Sequence, residues 1–150
     1  MENRTVVVIG GGPAGLMACK RLAERVKKVI LIEKNNILGK KLRITGKGRC
    51  NITNSAEIED FIKNVPTNGK FLYSAFYSFT NQDVIDMFEA SGVKTKIERG
   101  GRVFPESDSA KDVAEAMKKN ALKPNVQWVK AEAKEILTED GVVKGVKTDK

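Results

Sequence analysis

Histidine is absent from all 150 residues. That excludes an imidazole as base, as nucleophile activator or as metal ligand within this chain. Cysteine occurs only twice, at Cys19 and Cys50, with neither a C-x-x-C redox spacing nor a metal-ligand spacing. No metal site is therefore expected, and Cys19, on a helical stretch, reads as core. Long apolar runs are missing too. Val6 to Ile9 is far shorter than a membrane span or a signal-peptide core and leads straight into glycines. No membrane partner is expected, and a reducing cytoplasm is the expected compartment. Internal repeats and low-complexity tracts are also lacking.

With 41% hydrophobic and 31% charged residues, the chain has the composition of one folded globular domain. The net charge of +8 invites a nucleic-acid reading. However, most lysines sit beside acids, as in Glu33-Lys34 and Lys111-Asp112, and only Lys40-Lys41-Leu42-Arg43 and Lys47 to Arg49 form a local basic cluster. The aromatics lie elsewhere, whereas a nucleic-acid surface interleaves them with its cations. An anionic cofactor accounts for the cluster more economically, and no nucleic-acid partner is expected.

The most informative stretch runs from Val6 to Glu33. The apolar run Val6-Val7-Val8-Ile9 meets Gly10-Gly11-Gly12-Pro13-Ala14-Gly15, a helical pattern follows, and a second apolar run, Val29 to Ile32, ends on Glu33. Glycines that leave a strand, open a helix and precede an acid by about twenty residues form the dinucleotide-binding fingerprint. Gly10 permits the tight turn, Gly12 lets a diphosphate approach the backbone, and Gly15 lets the helix pack closely. The N–H groups and positive dipole end of a helix opening at Pro13 and Ala14 face the phosphates. Glu33, with Lys34 beside it, is placed to accept hydrogen bonds from ribose hydroxyls.

The pattern predicts a strand over 5–9, a helix over 14–25 with Ala14, Ala18, Leu22 and Val26 on one face, and a strand over 28–33. Both strands are continuously apolar, as in a parallel sheet covered on both faces. Residues 35–54 are polar and glycine-punctuated, a length of irregular chain that is usually functional. A short helix over 56–64 follows. Another over 71–79 places Leu72, Ala75, Phe76 and Phe79 on one face, with Phe76 and Phe79 as core. A helix capped by Thr80 or Asn81 runs to Glu89 and closes at Gly92. A hairpin over 93–104 and a helix over 109–120 come next, then a strand pattern over 126–137, the Asp140-Gly141 turn and its partner strand. The expected fold class is α/β: a Rossmann-like sheet with a β-α-β start and a late hairpin, interrupted by a mixed α+β insertion. Residues 1–60 and 126–150 form the dinucleotide-binding domain and 61–125 the insertion. A three-stranded parallel core leaves much surface undercovered, so the chain is expected to be the N-terminal portion of a longer protein.

Two further segments are more specific: Thr45-Gly-Lys-Gly-Arg-Cys-Asn-Ile-Thr-Asn54 and Gly100-Gly-Arg-Val-Phe-Pro-Glu-Ser107. With the N-terminus they resemble the bacterial aminoacetone-oxidase-like family of FAD-binding proteins, also described as NAD(P)/FAD-dependent oxidoreductases. The resemblance covers essentially the whole chain but only the early part of a family member. Thr45 stands where the family usually has serine and Lys47 where glycine is common. The family's later Ala-Thr-Gly-Gly and Gly-Asp elements have no match before Lys150.

The resemblance implies FAD over the Gly10 to Gly15 turn with its ribose at Glu33. It implies the Gly46 to Asn54 loop along the ribityl chain and ring, with close backbone approach at Gly46 and Gly48. Lys41, Arg49 and Asn51 would donate to anionic or carbonyl oxygens, Cys50 would lie near the ring, and Ala133 would meet the adenine through its backbone. Arg102, by contrast, reads as a residue that holds the hairpin together. Glu33 disfavours the 2′-phosphate of NADP at this position. A lone cysteine does not make a disulfide reductase, and no catalytic base is nominated. Two functions remain open. One is a flavoprotein oxidoreductase using NAD(P)H and a small-molecule substrate, and the other is a non-catalytic nucleotide- or RNA-binding module.

Overall fold

The computed structural model describes residues 2–150. In chain order the elements are β1 (Glu2–Ile9), α1 (Pro13–Ala23), β2 (Val26–Glu33), β3 (Thr53–Asn54), α2 (Ile58–Lys63), α3 (Tyr73–Ser78), α4 (Asn81–Ala90), β4 (Thr95–Glu98), β5 (Arg102–Pro105), α5 (Ala110–Ala121), β6 (Val126–Lys130), β7 (Ala133–Glu139) and β8 (Val142–Thr148). The chain divides into two compact units, one of Met1–Leu42 with Met117–Lys150 and the other of Arg43–Ala116. These divisions fall earlier than the boundaries read from sequence, because Thr53 and Asn54 pair with β5 and so join residues 43–60 to the second unit.

In the first unit β1, β2 and β6 form a parallel sheet in that order. Val6 faces Val29 and Ile9 faces Ile32, while Glu33 faces Lys130 on the other side. β2 is the central strand, and Val29, Leu31 and Ile32 are buried. The expectation of two covered strands holds for β2 only. Among the described residues β1 pairs with β2 alone, and Ile9 at its end is 52% exposed. The buried stripe of α1 is Leu16, Cys19 and Ala23, spaced by three and four residues as an amphipathic helix requires. It is rotated from the face read off the sequence, on which Ala14 proves exposed. Asn125 fastens the end of α1 to the start of β2, its side-chain nitrogen donating to the carbonyls of Ala23 and Val26 at 3.0 Å each.

The strand pattern over 126–137 is broken in the structure at Ala131 and Glu132. There the Ala131 N–H turns to the Glu33 carbonyl (3.2 Å) and the Glu132 N–H to Asp149 Oδ1 (2.7 Å). β7 and β8 then form an antiparallel hairpin closed by Asp140 and Gly141, both with positive φ (50° and 74°). Positive φ at both central residues is what a two-residue type I′ turn demands.

In the second unit β3, β5 and β4 form a small antiparallel sheet in that order. Its core includes Ile62, Ile85, Phe88, Val103 and Phe104. α4 opens with a full capping box, Thr80 accepting from the Asp83 N–H while the Asp83 carboxylate accepts from the Thr80 N–H. Gly92 closes it at φ 85°. The aromatic segment is less core-like than its pattern predicts. Phe76 meets Phe61 edge-on at 5.6 Å, yet Phe76 and Phe79 are only half-buried and Phe71 is 84% exposed. Among the described residues, no helix is long and apolar enough to cross a membrane.

Thr80→Ala removes one half of that box and frees an N–H at the start of α4. Chemical denaturation should show a loss of about 1 kcal/mol.

Candidate functional site

The glycine turn sits at the carboxyl end of β1, where open parallel sheets place their ligands. Gly10 takes φ 100°, a conformation that favours glycine, and its N–H continues the ladder to the Ile32 carbonyl at 2.8 Å. A Cβ at Gly15 would lie 1.9 Å from the Gly10 carbonyl oxygen, so the helix can only start this close to the turn with glycine there. Gly12, the N-cap of α1, is different: a Cβ there would meet nothing within 4 Å. The cap supplies no side-chain acceptor, Pro13 occupies the first turn, and that turn holds no acid. The positive end of α1 thus faces open space, the arrangement suited to an anion.

Gly11, unassigned in the sequence reading, is the most confined of the three consecutive glycines. Its N–H donates to Glu33 Oε2 at 2.7 Å, and its carbonyl accepts from the Gly39 N–H at 2.8 Å. A Cβ there would lie 2.3 Å from Leu38 Cδ2. Glu33 Oε1 accepts from both the main-chain N–H (2.7 Å) and the side-chain nitrogen (2.5 Å) of Asn35. Burial alone would raise the carboxyl's proton affinity. The donors from Asn35 and Gly11, helped by the charge of Lys34, outweigh it and hold the pKa below the ordinary glutamate value. An Asx residue just past a strand-ending acid was the available signal for Asn35.

A cleft of about 310 Å³ opens beside this carboxylate. Ile9 and Gly10 form one wall, Ile32 to Asn35 the floor, and Ala131 to Ala133 the far wall. The structure therefore brings together Gly10, Glu33, Lys34 and Ala133 of the expected set, with the glycine turn adjoining. Lys34 reaches Glu132 across the rim at 3.7 Å. Lys41 belongs to the same unit and is exposed.

The remaining expected residues lie in the second unit. Gly46, Lys47 and Gly48 form a left-handed run with φ of 55°, 56° and 86°, followed by Cys50 at 61°. A Cβ at Gly46 would stand 2.8 Å from the Asn51 nitrogen, whereas one at Gly48 would meet nothing. Arg49 closes the run, its donors directed to carboxylates of its own unit. Nε reaches Asp108 Oδ1 at 2.8 Å, Nη2 pairs with Glu98 Oε1, and the guanidinium lies 4.2 Å over the Phe104 ring. Lys96 joins through Asp108 at 2.7 Å. The Asn51 side-chain nitrogen donates to the carbonyls of Thr53 (2.9 Å) and Val103 (3.2 Å). Cys50 is buried, and burial pushes its thiol pKa up against the opposing effect of a bond to Thr45. Arg102 Nε donates to the Arg99 carbonyl across the hairpin turn at 3.1 Å.

A family model described as HI0933-like protein Rossmann domain matches residues 4–150. The 3-dehydro-bile acid delta(4,6)-reductase of Clostridium scindens is 31% identical over 130 residues, covering 80% of this chain and 29% of that protein. The ribosomal RNA dihydrouridine synthase of Escherichia coli is 30% identical over 129 residues, covering 85% of this chain and 31% of that protein. The chain thus spans about three-tenths of the length of these relatives. Among solved structures, Thermovibrio ammonificans THI4 shares the fold with a TM-score of 0.62 at 16% identity, over 99% of this chain and 48% of that one. L-proline dehydrogenase from P. horikoshii gives 0.51 at 20% identity, over 99% and 50%.

The glycines separate fold from binding. Gly15→Ala drives a methyl into the Gly10 carbonyl and should cost about 1–3 kcal/mol in a denaturant titration. Gly12→Ala meets open space, so its unfolding midpoint should stay within about 0.5 kcal/mol of the parent, while any ligand over the turn is displaced. Glu33 sets an acid limb as well. Its pKa is lowered in the folded chain, so its contribution is complete above the ordinary glutamate pKa of 4.5 and is lost as pH falls through the lower folded value. Urea midpoints across that range should decline less steeply in Glu33→Gln.

Proposed function

The chain belongs to the HI0933-like Rossmann domain family, and from that membership we propose that it is the dinucleotide-binding portion of an FAD-dependent oxidoreductase. One observation carries the reading: an uncapped helix start above open space at Gly12 adjoins a cleft floored by the Glu33 carboxylate. The N–H groups of Ala14 and Gly15 and the dipole of α1 suit a diphosphate. Glu33 suits a ribose, and its charge opposes a 2′-phosphate. Ala133, on the far wall, suits the edge of an adenine. The Gly46 to Asn54 loop, with Gly48 open to approach, suits the ribityl and ring end. Bound flavin supplies two-electron chemistry, and the protein's contribution is to position it and tune it.

The relatives' names narrow the reaction class. A 3-dehydro-bile acid delta(4,6)-reductase and a dihydrouridine synthase each saturate a carbon–carbon double bond conjugated with a carbonyl. We take reduction of such a bond, driven by a reduced nicotinamide, as the activity of the whole protein. Descriptions of the family it resembles divide between such reductions and oxidation of a small aminoketone, which is the competing outcome. RNA as the substrate is a second reading, favoured by the Escherichia coli relative's name.

Mass spectrometry of the small molecule released from the complete protein should return FAD, and NAD(P)H should bleach the flavin absorbance. A colourless protein with no releasable flavin overturns the proposal. Turnover on a conjugated enone, on aminoacetone or on uridine within RNA then separates the three substrate classes. Binding to RNA alone, without flavin and with a steep salt dependence, would instead mark a nucleic-acid module. Glu33→Gln should weaken FAD retention by on the order of 1–3 kcal/mol, as loss of a charge-assisted hydrogen bond predicts. Equilibrium dialysis measures it.

A further inference from the structure

We infer that Asn35 is a positioning residue for dinucleotide recognition, holding the Glu33 carboxylate so that its one remaining acceptor lobe, on Oε2 beside the glycine turn, takes a single ribose hydroxyl. The inference rests on the reading that FAD occupies this cleft. An ionised carboxylate offers about four acceptor positions. Asn35 fills both on Oε1 through its main-chain N–H and its side-chain nitrogen, and the Gly11 N–H fills one on Oε2. Lys40 Nζ, 3.2 Å from Asn35 Oδ1, keeps the amide turned with its nitrogen toward Glu33. The next residues bind the segment to the turn. Leu38 is buried over Gly11, and Gly39 bonds the Gly11 carbonyl. Residues 33–40 therefore form a strap whose charged end is aimed by one amide.

The charged groups around Glu33 are Lys34, Lys40 acting through Asn35, Glu132 paired with Lys34, and Lys130 at the opposite register position on β6. The first turn of α1 contributes no acid. Removing the Asn35 side chain deletes a donor that favours the ionised form, so protonation competes with the ribose hydroxyl at higher pH.

The test titrates FAD into flavin-stripped complete protein and follows flavin fluorescence from neutral to acid pH. Asn35→Ala should bind about three- to tenfold more weakly at neutral pH, and the midpoint of its acid loss of binding should move to higher pH. Asn35→Asp, which sets a second carboxylate against Glu33, should move it further. Lys40→Ala, an exposed change that leaves the fold intact, should move it in the same direction but less. An Asn35→Ala protein with parental affinity and acid midpoint, alongside a weakened Glu33→Gln, overturns this inference and leaves the FAD reading standing. A uniform loss of affinity with an unmoved midpoint also overturns it, since that marks a structural role. If Glu33→Gln binds like the parent, the ribose assignment falls and the Asn35 inference with it.

Discussion

One hydrogen bond organises the first unit: the Gly11 N–H donating to the carboxylate of Glu33, 22 residues away. Main-chain donors in a turn between strand and helix have few partners within their own element. A carboxylate delivered by the neighbouring strand satisfies one of them and joins the ends of β1 and β2 directly. The turn is thereby set before any ligand arrives. Because the bond is charge-assisted, it is stronger than an ordinary amide–carbonyl pair, and the Gly39 bond and Leu38 on the other sides of Gly11 add geometry to it. Glu33 is accordingly a structural residue as well as a candidate ligand residue.

The second unit solves a related problem with side chains. Three successive residues at positive φ, one of them Lys47, form an unfavourable backbone run that needs outside support. Arg49 provides it, tied to Glu98 and Asp108 and stacked on Phe104. Lys96 balances the charges, so the cluster of two cations and two anions carries no net charge. Such half-exposed pairs contribute little stability individually, about 0–1 kcal/mol each. Their value is geometric, since a planar guanidinium between two carboxylates has few alternatives. Of the local basic cluster seen in the sequence, Arg49 is thus committed to an ionic network of its own unit.

What was legible in the sequence was local. A continuous apolar run gave β2, a period-four pattern α1, capping residues α4, and alternation with turn residues the two hairpins, and the punctuation at Gly10, Gly92 and Asp140-Gly141 fell where positive φ is observed. The unread features depend on chain segments that meet only after folding. Whether β1 is central or at an edge depends on neighbours, and its apolar run is the same in both cases. Arg49 and its acids are separated by 49 and 59 residues, so nothing near Arg49 announced them. Gly11 had no role legible in the sequence, because its confinement comes from Leu38 and Glu33, which meet it only in the folded chain. Asn35 and Asn125 are short polar residues in connections, and their importance lies in which carboxylate or carbonyl each happens to face.

Recognition built this way constrains sequence weakly. A backbone N–H is presented equally by almost any residue, so the first unit must keep only a few glycines, an acid and apolar strands. That explains how a structure 16% identical can still share the fold at a TM-score of 0.62. It also explains why the fold by itself cannot name a reaction. Differences in chemistry among proteins that share such a unit have to arise where side chains, and not backbone, meet the reacting atoms. In this chain the segment richest in specific side-chain geometry is the Thr45 to Asn54 loop with its acidic anchors.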